Sequence, residues 1–116
     1  GRIMDIRFEF IGWCNEETHD KIWGYFVTQE DYMAAKNWPH LLREMPCYIF
    51  WGKRGSANGV NFKRDEIGYQ IGKLQSTKLK KGYNEISSGK LKEIWPEVMD
   101  ALESRLCFAL LANKVK

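Results

Sequence analysis

Cys47-Tyr48-Ile49-Phe50-Trp51, running directly into Gly52-Lys53-Arg54-Gly55, is the stretch from which the fold is read. Five aromatic, β-branched or small apolar residues after Pro46 predict a strand. The glycines at 52, 55 and 59, with Ser56 and Asn58 between them, predict a turn at its end. Upstream, Lys21 to Thr28 predicts a second strand. Its Trp23, Tyr25 and Val27 would lie on one side and its Ile22, Gly24 and Phe26 on the other. Further upstream, Ile6, Phe8 and Phe10 alternate with Arg7 and Glu9, the pattern of a half-buried strand. The polar cluster Asn15 to Asp20 joins the two as an antiparallel hairpin. Downstream of the turn, Val60-Asn61-Phe62-Lys63 predicts a short fourth strand.

Helical signals fall between and after these strands. Over 29–45 the spacing of Tyr32, Ala35, Leu41 and Leu42 predicts short helical pieces, with Thr28 and Asp31 as an imperfect capping box and Pro39 as a breaker. Asp65 is expected to cap a helix over 65–81 that buries Ile67, Ile71 and Leu74, turns Lys73 and Lys80 outward, and ends at Gly82. Residues 84–90 read as a polar break. A last helix then begins with Pro96 in its first turn. Its stripe is Val98, Met99, Leu102, Leu106, Ala109 and Leu110, with Phe108, Leu111 and Val115 off the stripe. The expected fold class is α+β: a mainly antiparallel four-stranded sheet with one helix packed on a face and an additional C-terminal helix.

The 116 residues suit one domain, and 44% hydrophobic with 28% charged residues excludes a disordered chain. No apolar run approaches the roughly 20 residues that span a bilayer, and no secretory leader is read at the start. Cys14, Cys47 and Cys107 are odd in number and widely spaced, which points to buried thiols in an intracellular protein and away from a disulfide framework or a zinc site. A net charge of +3 hides an asymmetry. Residues 51–92 hold ten basic side chains against three acidic ones, whereas residues 1–50 hold five against eight. One contiguous third of the chain is therefore suited to a polyanion.

Trp51-Gly52-Lys53-Arg54-Gly55 at a strand end and Lys78-Leu79-Lys80-Lys81-Gly82-Tyr83 at a helix end, downstream of a hairpin whose second strand opens Asp20-Lys21-Ile22-Trp23, form one constellation. It resembles the WGR domain, the Trp-Gly-Arg module of DNA-dependent poly(ADP-ribose) polymerases and of bacterial and phage proteins. The resemblance covers residues 3–86 except for an apparent insertion at about 29–45. A WGR-like domain over 1–90 would then be followed by a helical extension over 91–116. The signature arginine is Lys53 here, with Arg54 next to it, so either could take the arginine's role. The resemblance implies a module that binds DNA at ends or nicks, chiefly through sugar and phosphate.

The residue chemistry is compatible with that role. An indole beside a glycine turn can present its face to a sugar or base, and lysines and arginines can meet phosphates. The expected nucleic-acid-binding residues are Trp51, Gly52, Lys53, Arg54, Lys63, Arg64, Lys78, Lys80 and Lys81. RNA or poly(ADP-ribose) would draw on the same charges. No catalytic constellation, metal site or cofactor motif is read, so the expected protein is not an enzyme. It would be cytoplasmic if bacterial or phage, and nuclear if eukaryotic. Trp13, Trp23, Trp38 and Trp95 are expected as core or staple residues, Tyr83 in packing, and His19 in a solvated turn. The alternative reading is a protein-interaction or dimerisation module using residues 98–115, or a regulatory piece of a larger protein.

Overall fold

The computed structural model describes residues 6–38, 45–55 and 59–115. The readings placed on Pro39 to Leu42, on Ser56 to Asn58 and on the Val115 side chain lie outside the described residues.

The fold is α+β. Among the described residues five antiparallel strands, β1 (Ile6–Glu16), β2 (His19–Thr28), β3 (Pro46–Lys53), β4 (Asn61–Glu66) and β5 (Asn84–Glu85), lie in the order β4-β3-β2-β1-β5. The hairpin register pairs Glu16 with His19 and Ile6 with Thr28. Trp23 faces Trp51 across β2 and β3, and Ile49 faces Lys63 across β3 and β4. The expectation of four strands is corrected by β5, which pairs with Gly12 and Trp13 at the edge of the sheet.

Both sheet faces are covered, where cover on one was expected. Helices α1 (Gln29–Asn37) and α2 (Tyr69–Lys80) accompany a cluster built from Phe10, Trp23, Val27, Ala35, Cys47, Ile49 and Ile71. On the opposite face, α3 (Ser88–Ile94) and α4 (Val98–Val115) contribute Leu91, Trp95, Val98, Leu102 and Leu106 to a cluster with Ile11, Ile22, Phe26, Tyr48 and Phe50. This double cover explains the second departure. Ile6, Phe8 and Phe10 do not share a side, because a bulge between Phe8 and Phe10 shifts the register. Phe8 meets Phe26 and Phe50 on the α4 side, and Phe10 meets Trp23 on the α2 side. The extra residue lets one strand supply an aromatic ring to each layer.

Strand pairing also overrides the expected helix cap at Asp65. Cys47 pairs with Asp65 and Pro46 with Glu66, so β4 runs on to Glu66. The Asp65 carboxylate accepts from the Glu66 amide instead, at 2.8 Å. Helix α2 starts after Gly68 with no side-chain cap, and Leu74 is 38% exposed. Its end is as the sequence reads. Gly82 has φ +96°, Tyr83 N donates to Lys78 O at 3.1 Å and Gly82 N to Leu79 O at 3.2 Å, which is a Schellman ending. Thr28 caps α1 by accepting from Asp31 N, and α1 stops at Asn37, before Pro39. Within the expected polar break, Ser87 caps α3 by accepting from Lys90 N. Pro96 precedes α4 and is not in its first turn.

The tryptophans divide. Trp23 and Trp95 are buried and Trp13 is half-buried, but Trp38 is 61% exposed at the end of α1, against expectation. Cys14 and Cys47 are buried free thiols, and burial pushes the Cys47 thiol up to about 12. Among the described residues no helix is long and apolar enough to cross a membrane.

Candidate nucleic-acid interface

The end of β3 sets the site. Alternation along the strand turns Cys47, Ile49, Trp51 and Lys53 toward the α2 face and Tyr48, Phe50 and Gly52 toward the α4 face. Trp51 sits at the margin of the packed cluster and stays 37% exposed. Gly52 has a steric role. A Cβ there would lie 2.5 Å from the Gly59 carbonyl oxygen and 3.5 Å from the Trp95 ring, so the returning chain can pass only over a glycine.

Three adjoining hollows share their walls and form one groove. The central one, about 410 Å³, has Lys21, Trp51, Lys53, Asn61, Lys78 and Tyr83 in its lining. On the β4 side a hollow of about 220 Å³ reaches Trp23, Lys63 and Leu74 and shares Trp51 and Lys78. On the β1 side a hollow of about 330 Å³ reaches Glu16, His19 and Lys81 and shares Lys21, Lys78 and Tyr83. Lys78 lines all three.

The groove is electrostatically unbalanced. Lys21 and Lys53 stand directly opposite each other across β2 and β3, a like-charge pairing that costs stability. Lys78 reaches over from α2, its Nζ 5.3 Å from the Tyr83 ring centre and 5.9 Å from that of Trp23. Burial lowers the Lys78 pKa, and the charges of Lys81 and Lys21 lower it further. Among the described residues, Lys21, Lys53, Lys63, Lys78 and Lys81 make no ion pair with a carboxylate. Tyr83 packs with the α2-side cluster, and burial raises the pKa of its hydroxyl.

Of the residues expected to bind, Trp51, Gly52, Lys53, Lys63, Lys78 and Lys81 come together along this groove. Arg54, Arg64 and Lys80 do not. The Arg54 guanidinium donates to Asp20 Oδ2 at 2.8 Å and to the Ile94 carbonyl at 3.2 Å. The other oxygen of that carboxylate accepts from Trp13 Nε1 at 2.7 Å. Arg54 is thus a clasp between the start of β2 and the end of α3. Arg64 pairs with Tyr48 on the other face, where its charge opposes the upward shift that burial gives the Tyr48 hydroxyl. Lys80 is exposed and lies about 200° round α2 from Lys78. Lys21 was not among the expected residues. Its alternation with Trp23 places it on this face, but its pairing with Lys53 depends on a register that no local pattern displays.

Among the described residues no group of His, Cys, Asp and Glu is arranged to hold a metal ion. No family model matches the chain, and neither a curated protein nor a solved structure matches it.

Proposed function

We propose that the protein is a non-enzymatic nucleic-acid-binding module that takes DNA, at ends or nicks, through its sugar–phosphate chain with little sequence preference. One observation carries this reading: among the described residues, five lysines without carboxylate partners line one groove with an exposed indole, two of them directly opposed across a strand pair. Such an arrangement works against folding, and an anion in the groove relieves it. The resemblance to the WGR domain supports the same reading through Trp51, Gly52 and the Lys78 to Tyr83 segment. Lys53 inherits the position of the signature arginine, because Arg54 is already committed to Asp20.

A fluorescence titration against blunt, nicked and single-stranded DNA at two salt concentrations tests the proposal. Affinity should fall steeply with salt. Lys53→Gln and Lys78→Gln should each weaken binding and flatten the salt slope by roughly 0.7 to 0.9. Arg54→Ala should leave affinity within about twofold and lower stability by about 1 kcal/mol, the scale of a partly exposed ion pair. No binding to any of these DNAs at low salt would overturn the reading.

A second reading is contact with another chain through α4, where Phe108 is 73% and Leu111 53% exposed. Isolated large apolar side chains are common on surfaces, so this pair alone is a weaker indication than the groove. Sedimentation over a range of concentrations distinguishes the two.

A further inference from the structure

The groove has a direction, and its charges lie on both sides of the indole. From the β4 side to the β1 side the order is Lys63, then Trp51 with Lys53, then Lys21, then Lys81, with Lys78 alongside throughout. From Lys63, opposite Ile49, to the Lys53–Lys21 pair the track runs four residues along the strands and two strand spacings across them, a diagonal of roughly 16 Å. That length holds a short run of nucleotides whose bases are unstacked from one another, the form in which aromatic side chains take single strands.

We propose that this groove is a track for an uninterrupted single strand, with an interior unpaired nucleotide resting on Trp51 and the phosphates before and after it on Lys63 and on Lys53, Lys21 and Lys81. This rests on the nucleic-acid reading above and extends its substrate from a terminus or nick to a through-running single strand. A base inside a duplex has both faces covered by its neighbours, so it cannot lie on an indole. A duplex end offers one free face, but its backbone leaves to one side and would use the lysines on that side only. Lysines on both flanks of Trp51 suit a strand that enters and leaves. A charged groove lined by aromatic rings is also the general means by which single strands are held without sequence readout.

The test uses the full chain and a closed circle of single-stranded oligo-dT, which has no ends. Linear oligo-dT, a blunt duplex and inorganic polyphosphate are run beside it. The circle should bind as tightly as linear oligo-dT of equal length and more tightly than the duplex. Trp51→Ala should weaken the circle roughly ten- to hundredfold and leave polyphosphate within twofold. Lys63→Gln and Lys81→Gln, exposed residues at opposite ends of the track, should each weaken the circle and lower its salt slope by about 0.7. These two variants decide the matter if Trp51→Ala fails to fold. A duplex that binds where the circle does not would overturn the track and leave the DNA-end reading standing. So would a Lys63→Gln variant that binds the circle normally. Equal loss of circle and polyphosphate in Trp51→Ala would also overturn it, since no base would then be stacked. Failure of every ligand at low salt would remove both proposals.

Discussion

Asp20 and Lys78 show how single residues divide the basic charge of this chain between structure and surface. Asp20 accepts from Trp13 with one carboxylate oxygen and from Arg54 with the other, so the one arginine in the Gly52–Gly55 turn is held within the fold. Lys78 is the opposite case. It lies against Trp23 and Tyr83, and burial and two neighbouring lysines lower its pKa. Between that lowered value and the unfolded value of 10.5 the unfolded chain holds the proton more firmly than the folded one. The free protein should therefore gain stability from this group as pH rises through that interval. Anion affinity should fall over the same interval, beginning below the pH at which an ordinary lysine discharges. Comparing thermal melts and DNA titrations of the wild type and Lys78→Gln from pH 7 to 10.5 checks both signs, because the difference isolates this group. The positions of Arg54 and Lys53 in the motif are adjacent and chemically similar in sequence. The carboxylate brought from 34 residues upstream, the Ile94 carbonyl and the alternation along the strand separate their roles.

At the scale of elements, β3 and its turn were legible because local chemistry dictates them. The run Cys47 to Trp51 can hardly be anything but a strand, and a turn needs the glycines after it. The Schellman ending of α2 was equally legible, since Gly82 alone supplies the left-handed residue. The start of α2 was not, because pairing with Cys47 and Pro46 extended β4 through the expected cap. The Phe8–Phe10 bulge was not legible either, because it answers to two cores and not to its own alternation. Gly52 belongs to this scale. Gly52→Ala should destabilise the protein by roughly 1–3 kcal/mol, the usual effect of forcing a group into a packed space. The added methyl would meet the Gly59 carbonyl oxygen at 2.5 Å. A thermal melt that fails to drop would show that the turn can move aside.

At the scale of the whole molecule, the sheet carries two cores, and the C-terminal helices close one of them. Leu91, Trp95, Val98, Leu102 and Leu106 are each fully buried. At roughly 1.5–3 kcal/mol apiece, they contribute on the order of 10 kcal/mol, comparable with the about 5–15 kcal/mol that stabilises a typical domain. A chain ending at Lys90 should therefore lack a cooperative thermal transition by circular dichroism, whereas the full chain shows one. The residue types alone determined an α+β protein with a strand-and-turn carrying Trp51, a helix ending at Gly82 and a basic middle third, because propensity, turn chemistry and charge are local properties. Tertiary structure decided which cations share a surface. Lys21, Lys53, Lys63, Lys78 and Lys81 meet in one groove, while Arg54 and Arg64 are turned away. Register and facing are set by the packing of both sheet faces at once, and no short stretch of sequence contains that information.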